Sequence, residues 1–156
     1  MKITKENLQK FLITCNRNGY ATEKTIQKKE KDNSITITYS QGDWQMHDNY
    51  FGGEPFAGRM VIFYKNQPVW IMVYYGHVDK EYKNLDKIYG FLKQALLKMP
   101  ENEPYRGPRE LIELDWRYSN KPKGNLFQYA GEERIYYQGK EIFRTNYFGG
   151  LIDQGR

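Results

Sequence analysis

AGRMVIFYKNQPVWIMVYYG, residues 57–76, returns without a gap as AGEERIYYQGKEIFRTNYFG, residues 130–149. Ala57/Ala130, Gly58/Gly131, Ile62/Ile135, Tyr64/Tyr137, Tyr74/Tyr147 and Gly76/Gly149 are identical at a constant offset of 73 residues. Phe63/Tyr136, Val69/Ile142, Trp70/Phe143 and Tyr75/Phe148 keep their character. In each segment two runs rich in apolar and aromatic residues flank a short polar turn, Asn66-Gln67 in one and Gln138-Gly139-Lys140 in the other, as in a β-hairpin. Asn66 aligns with Gly139. Glycine takes positive φ freely and asparagine tolerates it best of the rest, so both segments read as the same hairpin with a left-handed residue at that point.

Working outward, Ile35, Ile37 and Tyr39 alternate with Thr36 and Thr38, and Trp44, Met46, Asp48 and Tyr50 alternate with Gln45, His47 and Asn49. These are two strands joined at Gln41-Gly42-Asp43. Leu8, Phe11, Leu12 and Cys15 form one apolar stripe on a helix over residues 4–17, with Thr4 as N-cap and Cys15 in the core as an inert thiol. Leu85, Ile88, Tyr89, Leu92, Leu96 and Met99 place a second helix over 82–99, where Gly90 suggests a close approach to the sheet. Residues 20–33 read as a surface connection, 111–118 as one strand and 119–125 as a loop. Val69 to Val73 is apolar on both faces, which predicts a central strand covered on both sides. Ile142 to Asn146 carries polar residues and is expected nearer an edge or solvent. Asp43-Trp44 recurs as Asp115-Trp116 at an offset of 72, which one insertion before Ala130 explains. The expected fold is α+β: an antiparallel sheet from a duplicated helix-plus-strands unit, two helices packed on one side, and a pseudo-two-fold. One domain spans 1–156, with the duplication over about 33–76 and 111–149. Periodicity leaves an open and a closed, barrel-like sheet equally allowed.

The 156 residues carry a formal charge of +5. That invites a nucleic-acid partner, but Lys28-Lys29-Glu30-Lys31 mixes signs and no long basic run exists. No apolar run reaches the roughly 18–20 residues that span a bilayer, and the N-terminus has no apolar signal region, so no membrane association is expected. A single cysteine permits no internal disulfide and points to a reducing cytoplasm.

Catalytic patterns fail on inspection. His47-Asp48 would need further His and Asp ligands, yet His77 is the one other histidine, and neighbours on a strand face opposite ways. There is no G-x-S-x-G, Walker A or dinucleotide glycine pattern, and no metal-ligand spacing. Gly52-Gly53 and Gly149-Gly150 precede no helix and read as bends. No catalytic residue, metal or cofactor is assigned. What the chain does supply is flat aromatic surface and guanidinium: Trp44, Tyr50, Trp70, Tyr74 and Tyr147, with Tyr105, Arg106 and Arg109 in a loop stiffened by prolines, and Arg144 where the first hairpin has Ile71. Such groups bind small molecules, stack bases or anchor protein partners.

Gly42-Asp43-Trp44, Asp48-Asn49-Tyr50-Phe51-Gly52-Gly53, Pro55-Phe56-Ala57-Gly58 and Pro68 to Gly76 follow one another in order. Tyr105-Arg106-Gly107-Pro108 and Tyr147-Phe148-Gly149-Gly150-Leu151-Ile152 come after the second helix. From about Phe11 to Ile152 the chain resembles domain-of-unknown-function family 5680, small bacterial and archaeal proteins. The resemblance implies no activity. Some relatives carry the domain behind a helix-turn-helix regulator, for which this chain has no room between its first helix and the core strands. Relatives also tend to have an acidic pair where this chain has Arg59-Met60, whereas its second hairpin has Glu132-Glu133.

The leading expectation is a non-enzymatic module that binds a small ligand or protein in an aromatic pocket between sheet and helix. A nucleic-acid binder stands second. An enzyme stands third and requires at least two of His47, His77, Asp43, Asp48, Asp115 and Glu132 in one cleft. Exposed strand edges would also allow a dimer.

Overall fold

Lys65 and Asn66 have φ of 50° and 62°, and Gln138 and Gly139 have 49° and 80°. Two successive left-handed residues make a turn whose twist suits antiparallel strands. The expected left-handed position is therefore present in both hairpins, together with the residue before it. The computed structural model describes residues 3–19 and 26–153. In chain order the elements are α1 (Lys5–Gly19), β1 (Ile26–Lys29), β2 (Ile35–Gln41), β3 (Trp44–Phe51), β4 (Phe56–Tyr64), β5 (Gln67–Val78), α2 (Leu85–Leu97), β6 (Glu110–Glu113), β7 (Trp116–Asn120), β8 (Lys123–Asn125), β9 (Gln128–Tyr137) and β10 (Lys140–Leu151). Strands outweigh helices. They form one antiparallel sheet in the order β1-β2-β3-β4-β5-β10-β9-β7-β6, with β8 beside β9. Among the described residues the path has two free ends, β1 and β6, so these strands form an open sheet.

Register aligns the buried side chains. Tyr74 pairs with Tyr147 and Val78 with Phe143 across β5 and β10. Met72 pairs with Met60, and Met60 with Asp48, across β5, β4 and β3. Side chains of paired residues share a face, so the two apolar clusters lie on the same side of the sheet. Leu8, Phe11, Leu12 and Cys15 of α1 pack on Met46, Met60, Trp70 and Met72. Ile88, Phe91, Leu92 and Ala95 of α2 pack on Val78, Tyr118, Ile135 and Phe143. Gly58 and Gly131 are required here. A Cβ on Gly58 would sit 2.7 Å from the Tyr74 hydroxyl, and one on Gly131 would overlap the Tyr147 ring.

Several expectations change. Strand β5 is central: within Val69–Val73, Val69, Trp70 and Met72 are buried and Ile71 and Val73 are half-buried, whereas Tyr75 and His77 further along are exposed, as is Phe148 of β10. Strand β10 is central too, and Thr145 is fully buried. The stretch 111–118 is not one strand, because β6 and β7 turn back at Leu114 (φ 53°). Strands β1 and β8 lie in segments read as loops. All their residues are exposed, so no apolar period marks them. Of the rest of the 20–33 reading, residues 30–33 form a connecting turn, and residues 20–25 lie outside the described residues. Gly90 is exposed with nothing within 4 Å of a built Cβ, so it makes no close approach. Among the described residues no helix is long and apolar enough to cross a membrane.

Candidate functional site

Glu133 stands on the inner face of β9 between Gly131 and Ile135, with no solvent exposure. A bare carboxylate there would cost several kcal/mol, of the order assigned to an unpaired buried ion. Two groups hold it: Arg106 donates from Nε to Oε2 at 2.9 Å, and the Tyr118 hydroxyl donates to Oε1. The loop carrying Arg106 is itself clamped. The Gly107 N–H donates to the Tyr118 hydroxyl at 3.1 Å, and Asn120 donates to the Gly107 carbonyl at 3.0 Å. Tyr147 closes the network by donating to Asn120 Oδ1 at 2.7 Å. Burial works against the Arg106 charge, but Glu133 and the neighbouring Tyr118 and Tyr74 outweigh it and hold the guanidinium protonated. Burial, then the Glu133 charge, pushes the Tyr118 hydroxyl far up, so it is a donor at any working pH.

Arg106 faces the first hairpin across the sheet. Its Cζ lies 5.7 Å from the centre of the Tyr74 ring, and Tyr74 donates to Asp48 Oδ1 at 2.7 Å. Burial, then Asp48, raises the Tyr74 pKa. Between this sheet face and the two helices runs a cleft. Its inner part, about 290 Å³, is bounded by Leu12 and Cys15 of α1, Leu92 and Leu96 of α2, Met60 and Met72 of the sheet, and Tyr105. An outer part of about 550 Å³ adds Ile35, Ile37, Tyr50 and Phe56. Asp48, Tyr74, Tyr89, Lys93 and Arg106 line both. At the mouth the Tyr89 hydroxyl reaches the Glu54 carboxylate and, at 3.0 Å, the Gly53 carbonyl, tying α2 to the β3–β4 connection.

Of the residues singled out from the sequence, Tyr50, Tyr74, Tyr105 and Arg106 meet in this cleft. The others lie elsewhere. Trp44 stacks on Phe11 with ring centres 5.3 Å apart. Trp70 is fully buried and donates its indole N–H to the Leu126 carbonyl at 2.8 Å. Tyr147 is buried in the Asn120 network. Arg109 is exposed and grips Glu103 with Nε at 2.9 Å. Arg144 pairs with Glu141 at 2.8 Å on the opposite sheet face, beside His77. Asp48, Lys93, Tyr89 and Glu133 were not singled out as binding residues. Asp48 and Glu133 carried a usable signal, a carboxylate on the apolar side of an alternating strand. Lys93 and Tyr89 carried none, because a helix-surface lysine and a tyrosine on an apolar stripe are ordinary.

Of the six groups on which the enzyme reading depends, Asp48 alone lines the cleft. His47 and His77 lie on the far face, Asp43 and Asp115 sit in hairpin turns, and Glu132 pairs with Arg134. Among the described residues no three His, Cys, Asp or Glu side chains gather as a metal site would need. Cations on the far face and the turns are interspersed with carboxylates: Arg134 with Glu132 and Glu141, and Lys140 with Asp79 and Glu81.

Residues 48–152 match the family model described as Domain of unknown function (DUF5680). The match covers more than half of the chain, and the chain belongs to that family. No curated protein and no solved structure matches it.

Proposed function

We propose, taking membership of that family as the premise, that the chain is a non-enzymatic binding module whose cleft takes a small ligand. One observation carries this. Arg106 is fixed through Nε, yet its terminal nitrogens have no hydrogen-bond partner among the described residues. Arg106 lines a cleft walled mostly by apolar side chains, with Asp48 and Lys93 among its polar groups, the combination of apolar surface and a few placed polar groups that small-molecule sites use. The lone cysteine, buried at the cleft wall, fits a reducing cytoplasm.

We infer further that one domain holds two copies of a unit, over about 33–76 and 111–149, related by a pseudo-two-fold. Tyr74 and Tyr147, equivalent at the 73-residue offset, pair with each other across β5 and β10. The Tyr74–Asp48 hydrogen bond has its counterpart in Tyr147–Asn120. On this reading Met46, Met60 and Met72 correspond to Tyr118, Glu133 and Thr145. The second copy fills its own interior with a polar network, and the first leaves its interior open for a ligand.

The test is a thermal-shift screen of small metabolites against the chain and Leu96→Trp, which fills the cleft. A ligand of the cleft raises Tm by about 3 °C or more at saturating concentration and leaves the variant unmoved. Equal shifts in both proteins place the ligand elsewhere. A panel that moves neither counts against the reading.

A further inference from the structure

We infer that the cleft is built for a monocarboxylic acid with an apolar body, an inference that rests on the small-ligand reading above. Arg106 is the starting point. Its Nε bond to Glu133 and its position over the Tyr74 ring set the guanidinium in place before any ligand arrives. With Nε committed, the end of the fork remains: two parallel N–H groups spaced to match the two oxygens of one carboxylate. A lysine in the same place would offer only a point charge.

Charge separates a carboxylate from a phosphate. Glu133 already balances Arg106. The cleft lining adds one cation, Lys93, exposed and without an ion pair among the described residues, and one buried carboxylate, Asp48. Over the described lining, Lys93 and Asp48 offset each other as Arg106 and Glu133 do, so a carboxylate on the Arg106 fork adds one negative charge to a neutral lining. A phosphate dianion would add two, close to Asp48 and Glu133, and would therefore be the more costly of the two to bury.

The walls set the rest of the ligand. Leu12, Met60, Met72, Leu92, Leu96 and Met99 form the apolar lining, which favours methylene or aryl groups over hydroxylated ones. The inner volume of about 290 Å³ lies at the lower end of the roughly 300–1,000 Å³ of small-molecule sites. That inner part suits a medium-length acyl chain or one aromatic ring. Met60, Met72 and Met99 are among the lining residues, and their unbranched side chains adapt to irregular shapes. The site therefore reads a class of acids.

The experiment is an NMR titration of the full ¹⁵N-labelled chain with octanoate and 3-phenylpropionate, each beside its alcohol and its monophosphate ester. At least one acid is expected to shift amides of 92–96 and 105–107, and to bind about tenfold or more tighter than its alcohol and its phosphate, as a two-point charged contact would produce. Octanoate ahead points to a fatty acid and 3-phenylpropionate ahead to an aromatic one. Arg106→Lys should remove most of the preference for acid over alcohol. If that variant does not fold, the acid-to-alcohol ratio on the unsubstituted chain decides. Acid and alcohol binding equally well in the cleft overturns the carboxylate inference and leaves the small-ligand reading standing. Tighter binding of the phosphate overturns it as well. If no probe shifts the cleft amides the inference falls, and the Leu96→Trp screen judges the broader reading separately.

Discussion

Cys15 shows how one residue's place in a helix stripe sets its chemistry. It is 1% exposed, and its thiol faces the Leu12 carbonyl at 3.3 Å. Burial pushes its pKa from 9.0 up to about 12. The folded chain therefore keeps a proton that the unfolded chain releases above about pH 9. This stabilising contribution is fully present below that pH and is lost as pH rises towards 12. Buried Tyr74, Tyr118 and Tyr129 shift in the same direction, each chiefly through burial. The urea midpoint is thus expected to fall steadily above pH 9, with a shallower fall in Cys15→Ala. Iodoacetamide at pH 8 should label Cys15 only when denaturant is added. Prompt labelling of the native chain would show the thiol to be accessible. The inert cysteine was legible from the spacing of Leu8, Phe11, Leu12 and Cys15. The roles of Asp48 and Glu133 were not, because a carboxylate on an apolar strand face announces a partner without naming it.

At the scale of elements, α2 carries two features of opposite sign. Asn84 caps it, its side chain accepting from the Lys87 N–H at 3.2 Å, and Asn84→Ala should cost about 1 kcal/mol. Gly90 lies in the helix interior, exposed and with open space around a built Cβ. Gly90→Ala should therefore add about 0.5–1 kcal/mol, since no contact opposes the gain in helix propensity. Urea denaturation of both variants checks the pair, and a destabilised Gly90→Ala would mean that the glycine serves a contact the fold does not reveal. The hairpins β4–β5 and β9–β10 and both helices were legible because alternation, the 3.6-residue period and turn residues act over short spans. Strands β1 and β8 were not. An edge strand with every side chain in solvent has no buried face to write a period. The turn at Leu114 was hidden for a different reason, since leucine rarely takes positive φ.

For the whole molecule, the decisive feature is the position of β10 between β5 and β9. It joins the two meanders into one sheet and puts the strands with the longest shared register at its centre. Backbone amides of β5 and β10 should accordingly exchange slowest with deuterium, near the rate of global unfolding, and those of β1 and β6 much faster. Equal protection of edge and centre would contradict this order of stability. The same topology carries the loop after α2 across to the first hairpin, so that Arg106 bridges Glu133 of β9 and Tyr74 of β5. By itself the sequence determined the hairpins, their left-handed turns, the two amphipathic helices and the family, because each is written in residues close together in the chain. Only the tertiary structure decided that the described strands form an open sheet, that Tyr75 and His77 of β5 face solvent, and that Asp48, Tyr74, Lys93 and Arg106 line one cleft. Those outcomes depend on which strands pair and in what register, and the free energy that selects them comes from burying surfaces far apart in sequence, which no local pattern records.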